Sequence, residues 1–361
     1  MKTKFFVALV AFAFILNTVG TTFAQTVKKL APANALVTLL PASDGILTFD
    51  TKRALNEAVP QILSAKPQMI ADINGFLDQI KTKTGVDLRQ FEQLAIGVSM
   101  KQSGNEGVDL EPVILARGKN NAGALIALAK LAANGRYREE KIGARTVYVF
   151  AVEPPKEIKT PDVPPSAGTG DRSAPSKEDS WLDKSMERTI DNFFKEIAVV
   201  AYDDNTLAAG SPARVRDTLN LKPRVGNAAL TNLINRKPNA IAAFAVNLPS
   251  GLSNLVGLGN DEFGKTLDSI RQIRGSMELN NGETAVSMTA KTSKVEDAQN
   301  LRDTLQMLQM MGKSLLGGSQ RADRQVYSRM VDNAKISLAQ TEVLFDLQVP
   351  QTDINILLGA K

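Results

Sequence analysis

Two alternating segments joined by a tight turn limit the folds open to this chain more than any other feature. Apolar and polar residues alternate over residues 273–280 and again over 286–291. Asn281-Gly282 separates them and fits a type I′ hairpin, which requires a positive φ at both central residues. Apolar residues at helical spacing follow over 295–315. The stretch therefore predicts a β-hairpin followed by a helix, and Ser293 and Glu296 predict a capping box at the start of that helix.

The same order of elements recurs earlier in the chain. Residues 94–133 also fit a hairpin followed by a helix, with Asn120 or Asn121 as its N-cap and Gly135 after its end. We therefore predict an α+β fold with two similar modules, built from mainly antiparallel sheets covered by helices on one face. The repeat predicts that residues 94–133 and 273–312 superpose.

These patterns and the composition divide the chain into five parts after a leader. We predict a short exposed lead-in, a first α+β module, a disordered insertion inside that module, a connector and a second α+β module. Their bounds are 25–34, 35–221, 154–180, 222–237 and 238–361, respectively. The insertion is rich in proline, glycine, serine and charged residues, which bury too little apolar surface to offset the entropy of ordering.

Residues 1–24 have the pattern of a secretory signal peptide. Lys2 and Lys4 precede an apolar run over residues 5–16, and Thr22-Phe23-Ala24 forms a small-residue cleavage site. We therefore expect an exported protein, periplasmic or extracellular. The alternative is an uncleaved segment that anchors the chain to the membrane.

The charge and the missing residue types exclude several classes of function. The chain of 361 residues has 43 basic and 38 acidic side chains, a net charge of +5, which falls to +3 without the two leader lysines. So small an excess, without dense basic runs, argues against nucleic-acid binding. Cysteine and histidine are both absent. Ser-His-Asp and Cys-His catalysis, Cys/His zinc sites and haem ligation by those residues are therefore excluded.

One motif has the letters of a phosphate-binding P-loop. Gly259, Gly264, Lys265 and Thr266 satisfy its pattern of two glycines, a lysine and a threonine. Asp261 and Glu262, however, would place negative charge where a polyanion binds. We interpret the match as a coincidence inside a helix–turn segment and predict no cofactor, no metal site and no catalytic residue.

Three methionines are the remaining candidates for a binding site. Met307, Met310 and Met311 lie close together in the second module. Methionine is flexible and polarisable, so such a cluster can line a groove for an apolar ligand or a partner helix. The alternative is that these side chains pack the helix against the sheet.

Several turns and caps resemble those of a loose group of uncharacterised exported bacterial proteins with duplicated α+β modules. The residues that carry this resemblance are 39–45 (Leu-Leu-Pro-Ala-Ser-Asp-Gly), 84–87 (Thr-Gly-Val-Asp) and 203–207 (Asp-Asp-Asn-Thr-Leu) leading into 210–212 (Gly-Ser-Pro). The resemblance implies export and the fold class, and it carries no catalytic residue.

We therefore predict an exported cell-envelope protein that acts by non-enzymatic binding or assembly, with an envelope protein or a ligand as its partner. Two alternatives remain open. One is a hydrolase that depends on carboxylates or on a metal held by oxygen ligands, although no spacing singles out a carboxylate pair. The other is a carrier of an apolar ligand.

Overall fold

The computed structural model describes residues 34–102, 108–119, 121–151, 196–220, 225–234, 237, 239–249, 262–280, 282–318 and 321–359. The predicted signal peptide, the insertion at 154–180 and Gly259 lie outside the described residues. The lead-in does too, except for its last residue, and so does part of the connector.

The described strands form one antiparallel sheet of twelve strands. Its order is β11-β12-β10-β9-β8-β1-β2-β3-β7-β6-β5-β4. The strands are β1 (Gly45–Phe49), β2 (Phe91–Gln102), β3 (Val108–Gly118), β4 (Tyr137–Ile142), β5 (Arg145–Ala151), β6 (Glu196–Asp203), β7 (Thr206–Gly210), β8 (Ala242–Asn247), β9 (Ile270–Asn280), β10 (Glu283–Thr292), β11 (Lys335–Ala339) and β12 (Glu342–Pro350). Pairing between β1 and β8 joins the strands of the two predicted modules.

The described helices flank this sheet. They are α1 (Asn34–Val37), α2 (Thr51–Arg53), α3 (Val59–Ile62), α4 (Pro67–Thr84), α5 (Ala122–Ala133), α6 (Pro212–Leu219), α7 (Val225–Ile234), α8 (Glu262–Asp268), α9 (Val295–Leu316), α10 (Ala322–Asn333) and α11 (Gln351–Leu357). A π-helical turn, Ala54–Ala58, joins α2 to α3, and a 3-10 turn, Leu88–Gln90, precedes β2.

Local signals account for several helix ends. The Asp50 side chain accepts a hydrogen bond from the Arg53 N–H at 2.9 Å and caps α2, and Asn121 caps α5 in the same way. Gly85 ends α4 with φ of 72°, which glycine adopts without a steric cost. The π-helical turn ends just before Pro60, a residue that lacks the N–H needed for a regular helical hydrogen bond.

The two faces of the sheet carry different apolar clusters, because neighbouring residues of a strand point to opposite faces. Ile46 belongs to the back face, where buried residues of β2, β3 and β5 to β8 pack with α1, α6 and α7. Phe49 belongs to the front face, where α3, α4 and α11 cover the middle of the sheet. Also on the front face, α9 packs on β9 to β12 and α10 packs on β12.

The α+β class and the antiparallel sheet are confirmed, with two differences from the expected arrangement. The strands of both halves share a single sheet, and helices contact both of its faces rather than one. Apolar residues on both sides of β2 explain the second difference. Ala95 packs on the back face, while Leu94 and Ile96 point to the front.

The hairpin that opens the second predicted repeat is confirmed, but the capping box is wrong. Strands β9 and β10 pair across a two-residue connection that includes Gly282, whose φ is 94°. The N-cap of α9 is Lys294, without a side-chain hydrogen bond. The Ser293 hydroxyl instead accepts a hydrogen bond from Arg271 Nε at 3.0 Å, so this strand-to-helix contact replaces the cap.

The repeat of one module stays a prediction. The order of two strands and a helix recurs, and both α5 and α9 lie on the front face. Against this, β4 and β5 have no counterpart among the described strands of the second half. The closing helices also differ, since α6 packs on the back face and α11 on the front.

Candidate interaction surface

Exposed apolar side chains lie on one side of the molecule. Within the described residues, all ten exposed large hydrophobic residues belong to α4, α5, α9 and α10, the helices of the front face. A large apolar surface left in water is unfavourable, and contiguous patches of this kind are typical of interaction sites. The candidate site therefore lies on these helices.

Helix α9 contributes most of this surface, and its position is fixed by an inner row of residues. Ala298, Leu301 and Leu305 follow one another at helical spacing and pack into the front-face cluster with β10 to β12. Further along, Gln309 Nε2 donates hydrogen bonds to two carbonyl oxygens near the end of α10, at 2.7 Å and 2.8 Å. These contacts hold the helix in one orientation about its own axis.

A second row of apolar residues on α9 points into the solvent. We call this row the outer stripe; it consists of Met307, Leu308, Met310, Met311 and Leu315. Their exposed fractions are 52%, 47%, 65%, 54% and 77%, respectively. Such values are unusual for five large apolar side chains within nine residues, because solvent-exposed apolar residues are normally scattered singly.

Helix α10 extends the apolar surface beside the outer stripe. Val331 of α10 lies against Gly312 of α9, where an added Cβ would come within 3.5 Å of the valine side chain. Tyr327 lies one helical turn away from Val331 and is 47% exposed. It therefore belongs to the side of α10 that faces α9.

The outer stripe is nearly free of charge. Residues 304–318 contain no acidic side chain and one basic one, Lys313. The Lys313 ammonium lies 3.0 Å from an Asp332 carboxylate oxygen on α10, so its charge is compensated within the chain. A neutral apolar surface of this kind suits an apolar partner better than a strongly charged one.

The three methionines that the sequence marks as a candidate binding site lie together on α9. Met307, Met310 and Met311 lie on the exposed side of α9 and do not pack it against the sheet. Leu308 and Leu315 lie in the same stripe, although they share the helical spacing of the apolar residues that pack on the sheet.

The described part of the P-loop-like motif lies within helix α8. Gly264 and Thr266 are buried there and Lys265 is exposed. In a P-loop the glycine-rich segment precedes the helix, so that its backbone N–H groups surround the phosphates. Here the helix begins at Glu262, before the second glycine of the motif.

A buried cluster of polar side chains joins the segment before β1 to α6 and α7. This cluster was not predicted from the sequence. Asn227 accepts a hydrogen bond from the Ser43 N–H at 2.9 Å and donates to the carbonyl oxygens of Leu40 and Pro41. The Arg214 guanidinium donates to the Ala42 carbonyl and to the Ser43 hydroxyl, both at 2.9 Å.

Burial lowers the pKa of Arg214, and its Nε is a buried donor without a hydrogen-bond partner. The side-chain hydrogen bonds of Arg214 and Asn227 all end on the segment before β1. The arrangement therefore anchors that segment to α6 and α7.

No group of three or more acidic side chains in the part of the chain that the structure describes is arranged to hold a metal ion. None of the helices in the same part of the chain is long and apolar enough to cross a membrane.

Comparison with known proteins leaves the family open. The sequence matches no protein-family model and none of the curated proteins. Among solved structures, crystal form III of TP0453 is 9% identical with a TM-score of 0.39, and the match covers 92% of this chain and 99% of that one. Crystal form IV of TP0453 is 10% identical with the same TM-score, covering 91% and 97%. At these values the likeness carries no functional argument.

Proposed function

We propose that the protein is an exported protein of the cell envelope that acts by non-enzymatic binding or assembly. The outer stripe of α9 is the observation that carries the proposal. Its five large side chains are exposed although an inner row already fixes the helix to the sheet. The packing of this chain therefore does not require them to be apolar, and a bound partner that removes them from water accounts for them.

Export rests on the sequence of residues 1–24. A mass spectrum of the protein from the exported fraction of its own cells tests it. We expect a mature chain that begins at Gln25. A full-length chain in the cytoplasmic fraction would contradict export, and a full-length chain in the membrane fraction would indicate an anchor.

Photo-crosslinking in intact cells tests the binding role. A photoreactive residue at position 311 lies in the outer stripe, whereas one at the exposed Gln306 lies about 140° around the same helix from position 311. We expect adducts with one or a few defined proteins from position 311 and a much weaker yield from position 306. Equal yields from the two positions, or turnover of an envelope substrate by the purified protein, would contradict the proposal.

A second candidate function, a carrier of an apolar ligand, is supported by a row of side chains across the sheet. Phe244, Leu47, Ile96 and Ile114 are direct cross-strand neighbours on the front face of β8, β1, β2 and β3. All four are half-buried, and none belongs to a buried core cluster. Such a row forms an apolar surface on the sheet against which a ligand can pack.

Native mass spectrometry distinguishes the two candidates. A carrier purified without denaturation retains a small molecule of defined mass, and Ile96→Asn reduces its occupancy by placing an amide in the row. A protein that purifies without such added mass would count against the carrier.

A further inference from the structure

We infer that the outer stripe of α9 is covered by a second copy of this chain, through antiparallel pairing of the two α9 helices. The inference rests on the proposed binding function and names its partner. The spacing of the exposed residues, the symmetry of the sequence, the absence of facing charges and the area of the surface support it.

The spacing of the outer stripe is that of a helix-pairing seam. Leu308, Met311 and Leu315 of the outer stripe, together with the half-buried Thr304, follow one another at steps of four, three and four residues. This is the a/d spacing that keeps one side of a helix facing a partner helix. The inner row provides the contact with the sheet, so α9 carries two apolar rows where packing within the chain uses one.

The seam is also symmetric about its own centre. In an antiparallel pair centred between positions 309 and 310, Leu308 of one copy meets Met311 of the other. Thr304 of each copy likewise meets Leu315 of the other. A two-fold axis brings the same surface of both copies together, so a self-complementary seam of this kind suits a closed dimer.

No charged residues face each other across this pairing. Lys313, the one charged side chain of residues 304–318, lies two residues from both Met311 and Leu315 and therefore on the side of α9 away from the seam, where it is already paired with Asp332. Like charges across an interface oppose association, and here none are brought together.

The exposed area is close to what a specific dimer needs. At roughly 200 Å² of accessible surface for each large side chain, the outer stripe and Tyr327 expose on the order of 700 Å². A standard interface buries about 800 Å² on each partner. The outer stripe of α9 and Tyr327 of α10 together therefore approach the area of a stable contact.

Cysteine crosslinking tests the pairing and its register, because the chain has no cysteine of its own. We expect an equimolar mixture of Leu308→Cys and Met311→Cys to form a disulfide-linked dimer several-fold faster than either variant alone. In the proposed register these two positions face each other within the reach of a disulfide. Gln306→Cys mixed with either variant provides the matched control and should crosslink slowly.

Sedimentation at a series of protein concentrations provides the second measurement. The full chain of 38.9 kDa should approach twice its mass as the concentration rises, and Met311→Glu should raise the dimer dissociation constant at least about tenfold. Gln306→Glu adds the same charge outside the seam and should leave the constant unchanged. Because both positions are exposed, the circular dichroism spectra of the two variants should match the wild type.

Two outcomes would overturn the inference. One is a wild-type chain that stays monomeric at all concentrations tested. The other is a dimer that Met311→Glu does not weaken and that Leu308→Cys and Met311→Cys do not link. In either case the photo-crosslinking experiment still decides the proposed binding function, since adducts from position 311 with another envelope protein would support that function without a second copy.

Discussion

Asn227 offers the sharpest test of how the segment before β1 is held. Its side chain is buried and makes three hydrogen bonds to main-chain atoms more than 180 residues away in the sequence. In Asn227→Ala, the Pro41 carbonyl keeps the Ser43 hydroxyl as a donor at 2.8 Å. The Leu40 carbonyl and the Ser43 N–H lose the asparagine as their partner.

The expected cost follows from these two groups. Leaving a buried donor or acceptor without a partner costs about 1–3 kcal/mol. We therefore expect Asn227→Ala to lower the free energy of unfolding by about 3 kcal/mol. Asn227→Asp keeps the acceptor for the Ser43 N–H but cannot donate to the carbonyls, so it should be at least as destabilising at neutral pH.

Urea unfolding followed by circular dichroism measures the effect. Asn247→Ala is the matched control, because Asn247 is exposed and its side chain accepts a hydrogen bond from Gln272. We expect this control to remain within about 0.5 kcal/mol of the wild type. A loss below about 1 kcal/mol in Asn227→Ala would refute the idea that these hydrogen bonds hold the segment.

Two further predictions concern backbone space and pH. An added Cβ at Gly118 would lie 1.9 Å from the Gln90 carbonyl oxygen, so Gly118→Ala should destabilise the fold by about 2–3 kcal/mol. Gly75→Ala has open space in the middle of α4 and should stabilise it by about 0.5–1 kcal/mol; urea midpoints that rank the two variants the other way would contradict the packing around Gly118. Hydrogen bonding to Arg89 lowers the pKa of Asp87 to about 2, so its contribution is present above its usual pKa and is lost as the pH falls through about 2. The difference in urea midpoint between wild type and Asp87→Asn should therefore shrink from pH 5 to pH 2, and a constant difference would contradict the ion pair.

Local features of this fold are readable from the sequence, because turns and caps depend on a few neighbouring residues. The positive φ of Gly85 and the cap at Asn121 follow directly from residue type. Strand β4 was missed because it has four charged residues in a row and lies at the edge of the sheet, where such residues face water. Pairing of β1 with β8 was also missed, since it joins residues nearly 200 positions apart and has no local signal.

The candidate surface shows a different limit of sequence reasoning. The sequence marks the methionines of α9 as candidates but does not single out Leu308 and Leu315, which are equally exposed members of the stripe. Both apolar rows of this helix have helical spacing, and periodicity alone does not tell which row faces the sheet. Contacts of Ala298 and Leu301 with the sheet decide the matter, and these depend on the tertiary fold.

Methionine oxidation measured by mass spectrometry tests most directly whether the outer stripe is covered by a partner. Mild peroxide treatment oxidises exposed methionines faster than buried ones. The isolated protein at low concentration should be oxidised quickly at Met307, Met310 and Met311, while Met277, which is 6% exposed, should react slowly and serve as the internal standard. In the intact envelope fraction we expect the three outer methionines to be protected toward the level of Met277. Equal oxidation of the outer methionines in the isolated and the envelope-bound protein would contradict the proposal that this surface binds a partner.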